Sequence, residues 1–256
     1  MIFKIASKVL ANRLKLILPD IISEEQSAFV PGRLITDNFI SAYECLHYMK
    51  TRKLKGNRFC ALKLDMMKAY DRIEWNYLEK VMLKLGISPK FTEIVMRCVS
   101  SVSFSVIFNG GQQEDFTPSY GLRQGDPISP YLFLLAAEGL SCLLKSMLPT
   151  ERIQGITVAA GAPEVNHLLF ADDSLLFFNA TPEMAKRVDD LLQRYFSASG
   201  QCINKDKSSV FFSKGCAEPV RQEIKQILDV LNEQLCEKYL GLPLMLVGLK
   251  RVLSSI

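Results

Sequence analysis

Apolar residues return at helical spacing through Ile2, Ile5, Val9, Leu10, Leu14 and Ile17, which predicts an amphipathic first helix packed on the domain. The polar stretch SEEQSAFVPGRLITDN, with Pro31-Gly32 inside it, predicts a loop. Helical spacing resumes at Phe39, Tyr43, Leu46 and Met49, then gives way to the basic KTRKLKGNR, read as a solvated turn. The period then changes. Cys60, Leu62 and Leu64 alternate in FCALKLD and predict a strand whose last residue is Asp65. A helix from about Glu74 to Leu85 would turn Trp75, Leu78, Val81, Met82 and Leu85 inward and stop at Gly86.

A hydroxyl residue followed by proline marks the next helix starts. Ser88-Pro89 precedes Phe91, Ile94, Val95, Cys98 and Val102, and Ser129-Pro130 precedes a long apolar helix to about Met147. Thr181-Pro182-Glu183 opens a helix through Val188, Leu191, Leu192, Tyr195 and Phe196 that stops at Gly200. Between them, SFSVIFNGGQQEDF predicts a hairpin around Gly110-Gly111, and HLLFADDSLLFF predicts two short strands joined by a polar break. SSVFFS reads as a strand, EPVRQEIKQILDVL as a helix and KYLGLPLML as a short strand pair. With no repeat, low-complexity tract or linker, one interleaved α and β domain is the simplest organisation.

Composition narrows this picture only a little. The 256 residues, 48% of them hydrophobic, suffice for a large core. A net charge of +4 is compatible with a polyanionic partner without requiring one. Seven scattered cysteines, an odd number with no C-x-x-C pair, indicate neither a disulfide framework nor a zinc site and point to a reducing intracellular setting. No apolar run reaches the ~18 residues of a membrane span, so a soluble protein is expected. The first twenty residues are basic and lack an acid before Asp20, which would also suit a mitochondrial presequence; their helical spacing favours a packed helix.

The chemistry concentrates in the acids. Asp172 and Asp173 lie between two apolar runs, where aspartate also serves simply as a turn residue bonding nearby amides. Asp65, at the end of its strand, would reach the rim of the same sheet. Three unpaired carboxylates would repel one another and raise their pKa values, whereas hard divalent cations prefer such oxygen ligands. Two magnesium ions about 3.5 to 4 Å apart would activate a sugar hydroxyl and hold a leaving pyrophosphate, which is nucleotidyl transfer.

The segments ALKLDMMKAYD, GLRQGDPISPYLF, HLLFADDSLLFF and GQCINKDKSSVFF stand in the order of reverse transcriptase motifs A to D, so the chain resembles LINE-type, non-LTR retrotransposon reverse transcriptases, especially plant ones. The match runs from KIASKVLANRL and QSAFVPGRLITDN to KYLGLPL. The resemblance implies an α/β (α+β) right-hand polymerase with a ferredoxin-like palm and partial, mostly helical fingers. It implies fingers at about 1–58, a palm with an inserted fingers segment at about 59–235, and the start of the primer-grip and thumb region at about 236–256. It makes Asp65, Asp172 and Asp173 the ligands of two Mg2+ ions, for which Mn2+ could substitute. It makes Tyr70 the residue under the incoming sugar that excludes a 2′-hydroxyl, although a half-buried core tyrosine is a real competitor. Gln124 and Gly125 would lie beside nucleotide and template, and Lys207 would serve the departing pyrophosphate as a general acid. Arg33 and the basic Lys4, Lys8, Arg13 and Lys15 would face template or duplex backbone, and Lys238 and Tyr239 would begin the primer-gripping region. The implied partners are an RNA template, a DNA primer and deoxynucleoside triphosphates, with no membrane, in nucleus or cytoplasm.

The chain departs from the family in places. The arginine-proline-isoleucine segment usual upstream of KIASK is not seen, nor are a thumb, an endonuclease or a C-terminal cysteine-histidine or RNase H region. Tyr120 stands where arginine is common, and Met67 replaces a usual serine. The expectation is therefore an RNA-directed DNA polymerase domain, truncated at both ends, with weak or absent processive synthesis in isolation. Two alternatives stay open: a catalytically silent remnant that only binds nucleic acid, and a metal-dependent phosphodiesterase, disfavoured because no histidine accompanies the acids: His47 and His167 are far apart in sequence, and His167 reads as a strand residue.

Overall fold

A computed structural model describes residues 2–51, 58–146, 152–233, 238–240 and 242–243. Most of KTRKLKGNR and of the 236–256 segment lie outside the described residues. The helices are α1 (Ile2–Ile21), α2 (Ile35–Thr51), α3 (Trp75–Lys84), α4 (Pro89–Ser100), α5 (Ser129–Ser146), α6 (Pro182–Ser199) and α7 (Glu218–Leu228), with a short 3-10 turn at Ala69–Arg72. The strands are β1 (Phe59–Leu64), β2 (Ile107–Phe108), β3 (Gly111–Gln112), β4 (His167–Phe170), β5 (Asp173–Asn179), β6 (Ser209–Phe212), β7 (Lys238–Tyr239) and β8 (Leu242–Pro243).

The main sheet has the order β4-β5-β1-β6, with β4, β1 and β6 each antiparallel to its neighbour. Strands β5 and β6 both oppose β1, so they run parallel to each other, and α6 crosses between them over β1. With α5 leading into β4, the sequence β1-α5-β4-β5-α6-β6 is the split βαββαβ arrangement of a ferredoxin-like sheet. Alternation then sorts the side chains. Cys60, Leu62, Leu64, Leu176, Phe178, Val210 and Phe212 bury against α5, α6 and α7. Phe59, Ala61, Leu168, Leu175 and Phe177 bury against Ala42, Cys45, Leu46 and Met49 of α2. Each fully buried Leu, Val, Phe or Met among them stabilises the fold by about 1.5–3 kcal/mol. A third cluster joins α1, α3, α4 and the first half of α5.

The hydroxyl-proline starts perform as predicted in two cases. Ser88 accepts from the Phe91 amide and Thr181 from the Met184 amide, while Gly200, with φ of 77°, closes α6. Elsewhere the reading needs correction. Ser129 is the first residue of α5, buried, and the Leu132 amide bonds the Ile128 carbonyl, so the helix starts a residue early. The small hairpin turns on Asn109-Gly110 rather than Gly110-Gly111. In α1 the buried stripe is Leu10, Ala11, Leu14 and Leu18, whereas Ile5, Val9 and Ile17 are exposed. The helix carries apolar residues on more than one face, and periodicity alone cannot choose between overlapping stripes.

His167 is fully buried on the α5 face, its ring nitrogens 3.0 Å from the Ser141 hydroxyl and 2.6 Å from Asn166 Oδ1. Burial pushes it down to about 4, so it remains a neutral hydrogen-bonding residue of the core. No helix among the described residues is long and apolar enough to cross a membrane.

Candidate active site

Asp65 follows the end of β1, and Asp172 and Asp173 lie at the turn of the β4–β5 hairpin beside it. Leu64 pairs with Ser174 and Phe170 with Asp173, so the hairpin connection is just Ala171 and Asp172. Continuing the β1–β5 register by one residue sets Asp65 against Asp173, and directly opposed residues have Cβ atoms about 4.5–5.5 Å apart. Both are half-buried, and Asp172 is exposed. The Asp173 carboxyl is pushed above the usual range by burial, relieved in part by Lys63 and pushed further by the charges of Asp172 and Asp65. Lys63 stands two residues before Asp65, hence on the same strand face. It is a compensating charge that the sequence reading missed and that the period-2 rule could have found.

Among the described residues, no group of three or more His, Cys, Asp or Glu side chains is arranged to hold a metal ion as it stands. The donor set nevertheless suits a hard divalent cation in kind: it consists of carboxylate oxygens, one of them burdened by negative neighbours.

Local hydrogen bonds fix the Asp65 backbone. The Asp65 amide donates to the Ser208 hydroxyl at 3.1 Å, and its carbonyl accepts from the Asn204 amide at 2.8 Å. Ser208 is fully buried, and its neighbour Lys207 is exposed on the loop that leads into β6. The loop carrying Lys207 is thus laced to the strand end carrying Asp65. Across the hairpin, Ala171 has φ of 53°, a left-handed conformation that costs an L-residue about 1–2 kcal/mol.

Tyr70 lies in the 3-10 turn, half-buried, its ring stacked on Phe133 with centroids 4.8 Å apart. Burial, with a contribution from the Asp172 charge, pushes its hydroxyl up to about 12, which puts the ring within electrostatic reach of the hairpin turn. The segment after Tyr70 is tied to the one before α5. The Leu122 amide bonds the Tyr70 carbonyl at 2.7 Å, the Gly121 amide bonds the Ile73 carbonyl, and the Trp75 indole donates to the Gly121 carbonyl. Gly121 has φ of 90°, and a Cβ there would stand 2.7 Å from the Asp71 carbonyl oxygen, so glycine is required. Gln124 is exposed and donates to Asp71 at 3.2 Å; Gly125, with φ of 80°, has open space where a side chain would project. Asp126 turns inward to accept from Ser7 of α1, whose hydroxyl also accepts from the Ile128 amide. A cavity of about 470 Å³ beside this loop is lined by Asp71, Trp75, Phe104, Tyr120, Arg123 and Gln124.

Two residues behave differently from the expectation. Arg33 does not extend outward: its guanidinium donates to the carbonyls of Ser23, Gln26 and Ile22 at 2.5, 2.6 and 2.7 Å, bracing the loop between α1 and α2. Three of its five N–H donors are thereby spent on backbone carbonyls. Tyr239 is fully buried and donates to Asn38, so it is a core residue beside the sheet. Lys4, Lys8, Arg13 and Lys15 are exposed along α1.

A split βαββαβ sheet whose central strand and neighbouring hairpin present acids at one end is the palm of a right-hand polymerase. Telomerase from Candida tropicalis, in complex with a fragment of telomeric RNA, superposes on 82% of this chain with a TM-score of 0.58 at 15% identity, using 33% of its own length. The sequence matches the reverse transcriptase (RNA-dependent DNA polymerase) family over residues 1–244, and the chain belongs to that family. It is 30% identical over 81% of its length to a 149 kDa protein of transposon TX1 from Xenopus laevis, and 30% identical over 72% to the Pol polyprotein of the type-2 retrotransposable element R2DM from Drosophila melanogaster. The chain spans 15% and 17% of the length of these relatives. It is a reverse transcriptase domain of the non-LTR retrotransposon type.

Proposed function

We propose that this domain extends a DNA 3′-hydroxyl on an RNA template by nucleotidyl transfer from deoxynucleoside triphosphates. The observation that carries the reading is the β1–β5 register, whose continuation one residue past Leu64 and Ser174 sets Asp65 against Asp173, with Asp172 in the adjoining turn. Asp65, Asp172 and Asp173 would hold a pair of Mg2+ ions, or Mn2+ in their place. When bound, such ions lower the pKa of the attacking hydroxyl and neutralise the departing pyrophosphate. Tyr70, stacked on Phe133, lies under the incoming sugar and excludes a 2′-hydroxyl. Gln124, oriented by Asp71, contacts the nucleotide, and Gly125 lets backbone approach it closely. Lys207 donates a proton from Nζ to the leaving pyrophosphate. The exposed cations of α1 meet phosphate backbone and position the duplex without reading its sequence. The provisional division is fingers at about 1–58, palm at about 59–235 and the start of primer grip and thumb at about 236–256.

Primer extension on an RNA template with Mg2+ tests this reading. The parent chain is expected to extend, with low processivity, and Asp172→Asn to lower the rate by on the order of 10³-fold. Binding of template and primer with no extension by either protein would leave only a nucleic-acid-binding remnant.

A further inference from the structure

We propose that Gln26 is a positioning residue for the Ala171–Asp172–Asp173 turn, holding the acids in register from the open edge of the sheet. Strand β4 is the edge strand, and its free side is covered by the loop after α1. The Leu169 amide bonds the Glu25 carbonyl at 2.8 Å, the Ser27 amide bonds the Leu169 carbonyl at 3.1 Å, and Gln26 makes a parallel bridge to Leu169. From there the Gln26 side chain, 1% exposed, reaches past the end of β4. Its Oε1 accepts from the Ala171 amide and from the Ala28 amide, each at 3.0 Å.

The partner it selects is telling. Ala171 is the left-handed residue of the two-residue connection, and Asp172 follows it directly. A strained alanine next to two like charges at a sheet edge would relax unless something held its amide. Both groups facing the Gln26 amide are N–H donors, so its oxygen must face them. Its Nε2 is then left buried with no partner among the described residues, an arrangement that is costly unless the oxygen has work to do. The loop itself is stiffened by Arg33, which grips the Gln26 carbonyl together with those of Ile22 and Ser23. Asn38 adds a second tie, donating to the Leu169 carbonyl at 3.0 Å while accepting from Tyr239. The chain of contacts therefore runs from Arg33 through Gln26 to Ala171 and the acids.

The role in synthesis rests on the polymerase reading; the mechanical role does not, and two measurements separate them. Gln26→Met keeps the volume and removes the acceptor. Hydrogen exchange followed by NMR is expected to show the Ala171 amide exchanging about tenfold faster or more, with the Leu169 amide unchanged, and Gln26→Glu restoring protection. In primer extension, Gln26→Met is expected to lower kcat about tenfold with KM for the nucleotide within about twofold. Unaltered Ala171 exchange, or equal acceleration across β4 and β5, would overturn the proposal. So would faster Ala171 exchange with undiminished kcat. If the parent extends no primer, the polymerase reading falls and exchange alone decides the mechanical role. Should Gln26→Met fail to fold, Gln26→Asn, one methylene too short to reach the Ala171 amide, carries the same test.

Discussion

Asp173→Asn is expected to abolish primer extension and, at the same time, to raise the melting temperature by roughly 1–8 °C. The two effects have one cause. Asp173 is half-buried opposite Asp65 and beside Asp172, with Lys63 supplying partial relief, and its carboxyl is held above the ordinary range by burial first. Between its unfolded and folded pKa values, the folded chain takes up a proton that the unfolded chain does not. The ionised group therefore costs stability at neutral pH, and that cost fades as the solution is acidified through the raised pKa. Asparagine keeps the shape and removes the charge. Relief of active-site strain commonly returns about 0.5–2 kcal/mol, and 1 kcal/mol shifts the melting point of a chain this size by roughly 2–4 °C. Mg2+ should raise the melting temperature of the parent and leave the variant unmoved, since a ligand of the native state stabilises only what binds it. Scanning calorimetry with and without the cation reads both effects, and a variant that melts below the parent would contradict the account.

Tyr70→Val is expected to weaken discrimination against ribonucleotides by about 10- to 100-fold in the ratio of kcat/KM for matched deoxy and ribo substrates, the range a steric pocket supplies. The ring stacks on Phe133 with centroids 4.8 Å apart, a contact that restrains it against an extra hydroxyl in the proposed pose. Valine opens that space. Tyr70→Phe, which keeps the ring, should leave the ratio within about twofold, because the phenol contributes bulk rather than charge: its hydroxyl, pushed up to about 12, stays neutral at working pH. Single-nucleotide incorporation with paired substrates measures this, and an unchanged ratio in Tyr70→Val would reduce Tyr70 to a core residue.

The sheet was the most legible part of the sequence. Alternation in FCALKLD and the apolar runs on either side of Asp172-Asp173 predict strands, and both are present because each strand buries its faces against helices. Capping residues at Ser88 and Thr181 carried their own geometry. What local patterns could not supply is which surface a helix turns inward, as in α1, where tertiary packing selected Leu10 and Leu14 over Ile5 and Val9. The site divides in the same way. Asp65, Asp172 and Asp173 were legible as acids at strand ends, and the β1–β5 register, continued one residue past Leu64 and Ser174, sets Asp65 against Asp173. The supporting groups were not, since Gln26, Ser208 and Asp71 act through contacts across 145, 143 and 53 positions of chain. Arg33 shows the converse: a cation in a recognisable motif was assigned to nucleic acid, yet its three carbonyl partners lie within eleven residues.

The central claim is that the carboxylates of Asp65, Asp172 and Asp173 act together as the cation and nucleotide site. Isothermal titration of the chain with Mn2+ or Mg2+ in the presence of a deoxynucleoside triphosphate measures this most directly. The account predicts saturable heat in the parent that disappears when all three residues are replaced by asparagine; equal heats from the two proteins, or none from either, would contradict it.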